Sequence, residues 1–262
     1  MEHGHDELLR LHDAQVRRGG RIILSVADFV VRQGEHIAIL GPNGSGKSTL
    51  MKLLTREMLP LWREEPPVVF LGDPRASLEE VNHTVGVVST TVEGRMLVHR
   101  PVLDIVLGGF FGSVGVPYHR SASEEQVAAA HEALREIGIA DLAQRDMLTL
   151  STGQVRRVLV ARALISAPRV LVFDEPCAGL DPEAVWNLRQ TFSALAAAGH
   201  TILLITHDVA DIVPEFERVV MLHEGHIVAD GPTAQLLTTQ RLRSLFGVPI
   251  TLVQHEGRYH LQ

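Results

Sequence analysis

The sequence predicts an α/β fold built on a mostly parallel β-sheet. Short apolar runs rich in valine, isoleucine and leucine show no polar alternation, which is typical of strands buried on both faces. Longer stretches with apolar residues at helical spacing separate these runs, so helices are expected to connect neighbouring parallel strands. The clearest runs are His36–Leu40, Val85–Val88, Val170–Phe173, Thr201–Ile205 and Val219–Leu222.

The regions around this core have their own patterns. Leu8–Val31 has the pattern of short strands, which predicts a small antiparallel β subdomain at the N-terminus. Residues 91–150 show helical patterns without a convincing strand, which predicts a helical subdomain inserted into the core. From residue 234 a short helix leads into a tail, and Ser244–Leu261 has the pattern of a hairpin. We therefore predict one domain over residues 1–262, with the insertion and the tail 234–262 as its parts.

Three helix starts are marked by capping residues. Ser123–Gln126 fits a capping box ahead of the apolar helical pattern in Val127–Ile137. Asp181 precedes a proline at the first helical position, which predicts a helix over Glu183–Leu195. Ser151–Gln154 fits the same capping pattern, so a third helix is expected to begin there.

The composition argues against several classes of protein. The net charge of −7 is unfavourable for a basic nucleic-acid-binding face, so no nucleic-acid partner is expected. The single cysteine, Cys177, excludes a disulfide within the chain. The longest apolar runs, such as Val68–Leu71 and Ile202–Ile205, are far shorter than the roughly 20 residues that a membrane span needs. We therefore expect a cytoplasmic protein, and work at a membrane would need another chain to span the bilayer.

A glycine-rich loop follows the first core strand. Residues 41–49 fit the pattern G-x-x-x-x-G-K-[ST], with the strand His36–Leu40 before them and the helical run Leu50–Leu54 after them. In such a loop the glycines let backbone N–H groups surround phosphates, and a helix N-terminus faces their negative charge. The pattern predicts a nucleotide-binding P-loop NTPase core, and it does not by itself separate kinases, GTPases and ATPases. The predicted binding residues are Gly41, Pro42, Asn43, Gly44, Ser45, Gly46, Lys47, Ser48 and Thr49.

Two side chains of this loop and an acid pair farther along the chain have predicted roles. We expect Lys47 to reach the β and γ phosphates and the Ser48 hydroxyl to coordinate Mg²⁺. The strand Val170–Phe173 ends in Asp174 and Glu175. We predict that Asp174 holds Mg²⁺ and that Glu175 is the general base that polarises the attacking water. An ordinary strand end has the same pattern, and the phosphate loop upstream favours the catalytic interpretation.

Three further motifs resemble those of a known family. Leu150–Arg157 reads LSTGQVRR and resembles the signature sequence of ATP-binding cassette (ABC) ATPases, usually written LSGGQ. Cys177–Asp181 resembles the D-loop that follows the acid pair in this family, and Thr206–Asp208 resembles its switch histidine. The order and spacing of the motifs agree with the family over nearly the whole chain. The chain therefore resembles the nucleotide-binding subunit of an ABC ATPase, with ATP and Mg²⁺ as its cofactors.

The resemblance implies a dimer and a set of roles. Two copies would pair head to tail, with each ATP between the phosphate loop of one copy and the signature of the other. The signature residues Ser151, Thr152, Gly153 and Gln154 would contact the partner's ATP. Asp181 would contact the partner subunit, and the catalytic His207 would contact the γ-phosphate. Thr152 stands where the family usually has glycine, and we predict that the change is tolerated because the helix start and Gly153 remain.

Two positions depart from the family pattern. Thr90 stands where the family has a lid glutamine that touches Mg²⁺ and the attacking water, and its hydroxyl could still hold a water. Glu93 is nearby in the sequence and could take part, whereas a plain strand-end residue is the alternative for Thr90. Ahead of the Gly-Gly turn the family commonly has an aromatic residue that stacks on adenine, and Arg18 could lie flat on the base instead. Solvated turn charges are the alternative for Arg17 and Arg18, and base selectivity is expected to be weak.

Two more resemblances concern the type of cassette. Thr90, the glycine-rich stretch Asp104–Gly115 and Glu175–Asp181 resemble a subgroup labelled molybdate-transport or photorepair ATPases, whereas the tail Leu242–Val253 resembles iron–siderophore and metal-chelate import ATPases. They imply the energy subunit of a bacterial importer for a metal, a metal chelate or an oxyanion, bound to a transmembrane permease at the cytoplasmic face. Asp104–Gly115 is either a docking groove for the permease or a tightly packed helix end. A soluble regulatory or stress-response ATPase is the alternative, and Thr90 favours it.

Overall fold

The computed structural model describes residues 6–255 and 257–262. The chain divides into two compact units, the first formed by Met1–Val81 with Ser193–Gln262 and the second by Asn82–Phe192. His3 and His5, which the sequence places in an irregular N-terminus, lie outside the described ranges. No helix within those ranges is long and apolar enough to cross a membrane.

The described residues form eleven strands and nine α-helices, numbered here in chain order. The strands are β1 (Glu7–Arg18), β2 (Arg21–Arg32), β3 (His36–Leu40), β4 (Val68–Phe70), β5 (Val85–Ser89), β6 (Val170–Asp174), β7 (Thr201–Thr206), β8 (Arg218–His223), β9 (His226–Pro232), β10 (Leu252–His255) and β11 (Arg258–Leu261). The helices are α1 (Lys47–Leu54), α2 (Leu78–Thr84), α3 (Thr90–Met96), α4 (Val102–Phe111), α5 (Glu124–Glu136), α6 (Thr152–Leu164), α7 (Pro182–Ala197), α8 (Thr233–Leu236) and α9 (Thr239–Phe246). Short 3₁₀ turns cover Ala140–Leu142, Met147–Thr149 and Val209–Asp211.

The first unit opens with a long β-hairpin, whereas the sequence predicts short strands. β1 and β2 each extend over 12 residues and pair antiparallel from end to end. The turn is formed by Gly19 and Gly20, whose φ angles of 56° and 80° are ones that a residue with a side chain rarely adopts. Register shifts near both ends of the ladder break the alternation of apolar and polar residues, which explains why the strands look short in the sequence.

The parallel core of this unit places β3 between β7 and β8. The strand order is β4-β1-β2-β9-β8-β3-β7, so the antiparallel strands lie to one side of the parallel ones. After its first residue β3 has only buried side chains, as expected for a strand covered on both faces. Glu224 and Gly225, both with positive φ, form the turn between β8 and β9.

The C-terminal hairpin is shorter than the sequence predicts. α9 extends to Phe246, so the start of the predicted hairpin is helical, and only β10 and β11 form the antiparallel pair. The Thr238 hydroxyl caps the helix by accepting from the Arg241 N–H at 3.3 Å. Leu242 and Leu245 are buried on one face of α9. Burial of that face stabilises a helix where the short apolar run favours a strand.

The second unit combines a strand pair with a group of helices. β5 and β6 are parallel and remain in register up to the pair Ser89↔Asp174. α5 and α6 each begin at a complete capping box, at Ser123 and at Ser151, as the sequence predicts. That residues 91–150 form an inserted subdomain of a single domain spanning 1–262 stays a prediction.

Glycines in α4 account for the glycine-rich stretch Asp104–Gly115. A Cβ atom at Gly109 would lie 2.5 Å from the carbonyl oxygen of Arg162 in α6, and one at Gly108 would lie 2.5 Å from that of Ser113. Real side chains do not approach backbone atoms this closely, so only glycine fits at either position. These contacts support a tightly packed helix end over a docking groove for these two glycines.

Candidate nucleotide-binding site

The phosphate loop connects β3 to α1 in the first unit. Gly44 and Gly46 have φ angles of 81° and 105°, which lie in the region that favours glycine. A Cβ atom at Gly41 would lie 2.3 Å from the carbonyl oxygen of Leu222, so this glycine is required by close packing against β8. The loop conformation therefore depends on glycine at both positions that the motif specifies, Gly41 and Gly46, and also at Gly44.

Three polar side chains of the loop differ in their burial and bonding. Nζ of the buried Lys47 donates to the carbonyl oxygens of Gly41 and Pro42, at 2.8 and 3.1 Å. The buried Oγ of Ser45 has no hydrogen-bond partner in the part of the chain that the structure describes. Ser48 is exposed in the first turn of α1. An ammonium folded over the loop and an unsatisfied buried hydroxyl fit the phosphates of a nucleotide.

Among the remaining loop residues, Asn43 and Gly44 are exposed, and Thr49 is half-buried in α1. His207 follows the end of β7, the strand beside β3. Leu40 and Thr206, the last residues of these two strands, are in register, and the Gly41 N–H donates to the Thr206 carbonyl oxygen at 3.4 Å. Because parallel strands end at the same edge of the sheet, the exposed His207 and the phosphate loop lie at one edge.

The backbone around His207 is held by its neighbours. The Thr206 hydroxyl donates to a carboxylate oxygen of Asp211 at 2.8 Å and accepts from the Asp208 N–H at 3.0 Å. Asp208 in turn accepts from the Ala210 N–H at 2.9 Å. These bonds position the backbone of His207, whose side chain is exposed.

Arg18 lies at the tip of the β1–β2 hairpin, where it pairs with Arg21. Its side chain is exposed. The hairpin approaches the phosphate loop at Ile23, because a Cβ atom at Gly46 would lie 3.5 Å from the Ile23 carbonyl oxygen. The structure therefore brings the start of β2 to the loop, whereas a contact between Arg18 and a base stays a prediction.

The acid pair ends β6 in the second unit. Asp174 is the last residue of the strand, and Glu175 follows with a φ of 47°. A non-glycine residue in this left-handed region costs about 1–3 kcal/mol, and such strain is concentrated at functional sites. The sequence does not reveal this conformation, which Glu175 shares with five other described non-glycine residues, including Glu224 in the β8–β9 turn.

Thr90 starts a helix and is not the strand-end residue that the sequence offers as an alternative. Ser89 ends β5, and its hydroxyl caps α3 by accepting from the Val92 N–H at 3.2 Å. Thr90 is therefore the exposed first residue of α3, one position beyond the pair Ser89↔Asp174. Since Glu175 also follows that pair, both residues leave the same edge of the strand pair.

The signature residues form the start of α6. Ser151 Oγ accepts from the Gln154 N–H at 3.3 Å, and Gln154 Oε1 accepts from the Ser151 N–H at 3.0 Å. Thr152 is the exposed first helical residue. A Cβ atom at Gly153 would lie 2.6 Å from Cβ of Ala184 in α7, so this glycine permits close packing between the two helix starts.

Asp181 belongs to the same group. Its Oδ1 accepts from the Ala184 N–H at 2.8 Å, which makes it the cap of α7. Ala184 is also the residue that packs against Gly153. The structure therefore brings the signature and the D-loop together inside the second unit.

Sequence reasoning missed one residue of this region. Arg156 in α6 is buried, and its Nη2 lies 2.7 Å from Oε2 of Glu93 in α3. Glu93 is therefore engaged by an arginine, whereas the sequence suggests a part beside Thr90. No local pattern marks the pair, because α3 and α6 are far apart in the sequence and meet only after folding.

Comparison with known proteins agrees with the motifs. The ABC transporter family model matches residues 24–178, more than half of the chain. The uncharacterized ABC transporter ATP-binding protein YlmA of Bacillus subtilis is 29% identical over 253 residues, which cover 96% of this chain and 95% of that protein. The hemin import ATP-binding protein HmuV of Bordetella avium is 32% identical over 260 residues, which cover 94% of this chain and 95% of that protein.

A solved structure has the same fold. CbiO1 from Clostridium perfringens, part of the ABC transporter complex cbiONQ, is 26% identical to this chain, with a TM-score of 0.76. The match covers 91% of this chain and 94% of that one. Family match, relatives, fold and motif order lead to one conclusion: the chain is an ATP-binding subunit of the ABC transporter family, and an ATPase.

Proposed function

We propose that the chain hydrolyses ATP as a head-to-tail dimer and thereby powers a bacterial importer. The observation that carries the nucleotide part is the edge of the first unit, where the phosphate loop with Lys47 and the exposed His207 follow neighbouring parallel strands. Side chains at such an edge can contact the same phosphate chain. His207 would then sense the γ-phosphate next to Lys47.

The second unit would contribute the chemistry of hydrolysis. Glu175 would act as the general base toward the attacking water, and the hydroxyl of Thr90 would hold a water near it. Ser48 and Asp174 are the proposed ligands of Mg²⁺, which neutralises charge that develops on the phosphates when it is bound. The place of Glu175 directly after the end of β6, next to Asp174, supports this assignment.

A second copy of the chain would complete each ATP site. Ser151, Thr152 and Asp181 are exposed at the starts of α6 and α7, where backbone N–H groups favour negative charge. The signature residues Ser151–Gln154 would contact the partner's ATP, and Asp181 would contact the partner subunit. Closure on ATP binding and opening on hydrolysis would then drive the transporter.

A transmembrane permease is the further partner, with the chain at the cytoplasmic face of the membrane. HmuV is named for hemin import and CbiO1 belongs to a transporter complex. In the second unit, the side chains of Leu97 and Leu148 are exposed. The segments that carry them are joined by a hydrogen bond from the Met147 N–H to the Arg100 carbonyl oxygen, at 2.9 Å. Exposed apolar side chains of this kind suit a docking site. A metal, a metal chelate or an oxyanion is the proposed class of cargo.

The deciding experiment is a pull-down with the Glu175→Gln protein, which should hold ATP without hydrolysing it. The tagged protein is expressed in its native host, membranes are solubilised gently with Mg-ATP, and co-purified proteins are identified, with Lys47→Ala as the control that should not close. A polytopic membrane protein at stoichiometric level would support the importer subunit and lead to its cargo. A soluble homodimer with none of the protein at the membrane would instead favour the regulatory ATPase.

A further inference from the structure

A buried ion pair joins two helices of the second unit. Arg156 of α6 and Glu93 of α3 approach to 2.7 Å between Nη2 and Oε2, and their side chains are only 1% and 15% exposed. Salt and water screen such a buried pair much less than they screen pairs on the surface. A movement of α6 therefore changes the electrostatic force on α3, and the reverse also holds.

The surroundings satisfy this pair only in part. Nε and Nη1 of Arg156 are buried and have no hydrogen-bond partner among the residues that the structure describes. The short contact to Glu93 is not aligned as a hydrogen bond either. Buried charges with unsatisfied N–H groups are costly, and apolar residues of similar size often serve stability equally well. Stability alone therefore does not explain why this pair occupies the site.

On the α3 side, the pair lies one turn from the hydrolytic residues. α3 begins at Thr90, directly after Ser89, whose register partner is Asp174. Glu93 is three positions further on, a rise of about 4.5 Å along the helix axis. Glu93 and Thr90 therefore lie on the same short helix, about one turn apart.

On the α6 side, the pair lies close to the signature. α6 begins at the Ser151–Gln154 capping box, and Arg156 comes directly after its first turn. The same helix start packs against Ala184 through Gly153. Because a helix moves as a rigid element, a displacement of the signature is transmitted to Arg156.

We propose that Arg156 and Glu93 are positioning residues that couple the signature helix to the helix that carries Thr90. The proposal rests on the proposed ATP-driven dimer. When the signature meets the partner's γ-phosphate, α6 moves, and the buried pair moves α3 with it. Thr90 has a short side chain, so its placement depends on α3. The ion pair therefore connects the signature to the helix that carries Thr90 within one copy of the chain.

The test uses the whole protein with Mg-ATP as the probe. Glu93→Gln and Arg156→Gln each remove one charge, and Glu93→Arg with Arg156→Glu reverses the pair. For each variant we measure ATP affinity, kcat, KM and thermal unfolding. The matched control is Glu132→Gln with Arg135→Gln, a pair on α5 whose side chains are 63% and 60% exposed.

Each single variant should bind Mg-ATP within about twofold of wild type and lose roughly tenfold in kcat, an effect within the usual range of allosteric coupling. The reversed pair should recover part of this loss, and the control pair should hydrolyse like wild type. Should Arg156→Gln fail to fold, Glu93→Gln with Arg156→Met removes both charges at similar volume, and the same loss in kcat is expected.

Three results would overturn the coupling: wild-type kcat in the folded single variants, parallel losses of ATP affinity and kcat, or no recovery in the reversed pair. A failure of the proposed function looks different. In that case the wild type and the control with both Glu132→Gln and Arg135→Gln would show neither ATP hydrolysis nor ATP-dependent dimerisation, and the coupling would fall with them.

Discussion

The phosphate loop of the first unit and the signature region of the second unit are held by different means. In the loop, Lys47 is fixed by backbone carbonyl oxygens and Gly41 by close contact with β8. In the signature region, side-chain oxygens accept from backbone N–H groups in the Ser151–Gln154 box, and two charged side chains meet in the Arg156–Glu93 pair. Backbone geometry allows little substitution in the loop, whereas we expect the side-chain contacts of the signature region to tolerate Thr152.

The largest effect is expected at the acid pair. Glu175→Gln should reduce ATP hydrolysis by about 100- to 10,000-fold, because the general base is lost. Binding of Mg-ATP should remain, and an ATP-bound dimer should accumulate. Phosphate release and size-exclusion chromatography measure both, with Glu132→Gln as the control. Undiminished hydrolysis would remove Glu175 from its assigned role.

The next largest effect is a loss of nucleotide affinity, and it is expected from a change in the phosphate loop. Lys47→Ala should weaken Mg-ATP binding by roughly tenfold to a hundredfold, because a hydrogen-bonding ammonium is removed. Lys52→Ala, an exposed lysine on the same helix, is the matched control and should bind like wild type. Equal titration curves for Lys47→Ala and wild type would show that the loop does not hold phosphate.

Close packing at the signature is tested by one methyl group. Gly153→Ala should destabilise the fold by about 1–3 kcal/mol and impair ATP-dependent dimerisation, since the added carbon meets Ala184. Ala184→Gly in the same protein should restore stability by removing the opposing carbon. Gly94→Ala, which has open space around it, is the control. If urea unfolding showed no loss in the free energy of unfolding of Gly153→Ala, the starts of α6 and α7 would have to separate easily.

A smaller, pH-dependent effect is expected at the base of the loop strand. Burial lowers the pKa of His36 below 6.5, and the nearby Glu217 and Glu215 offset part of this shift. Below that pH the unfolded chain binds more protons than the folded one, so the free energy of unfolding falls as the pH is lowered. His36→Gln should show a shallower fall between pH 7.5 and 5.5 in urea unfolding. Identical slopes would mean that His36 does not contribute.

The smallest difference is expected between nucleotides. Without an aromatic residue near Arg18, ATP and GTP should differ in affinity by less than about tenfold, or about 1.4 kcal/mol. Arg18→Ala should weaken both alike, because a side chain stacked on a base does not read its edges. Competition binding measures the ratio, and an ATP preference of a hundredfold or more would contradict this expectation.

Local patterns explain which parts could be predicted. The five apolar runs became β3, β5, β6, β7 and β8, because burial on both faces imposes the same residues along each strand. The capping boxes at Ser123 and Ser151 were equally readable, since each joins residues three positions apart. The hairpin β1–β2 and the end of α9 were not predicted correctly, because bulges and burial against other elements override a local pattern there.

The sequence by itself determined the nucleotide chemistry of this protein, because the phosphate loop, acid pair and signature are contiguous motifs whose spacing sets their geometry. Only the tertiary structure decided how the departures are accommodated. It made Thr90 the start of a helix, placed Glu175 in a strained conformation and joined Glu93 to Arg156. These features depend on which faces of distant elements meet, and a one-dimensional pattern does not contain that information.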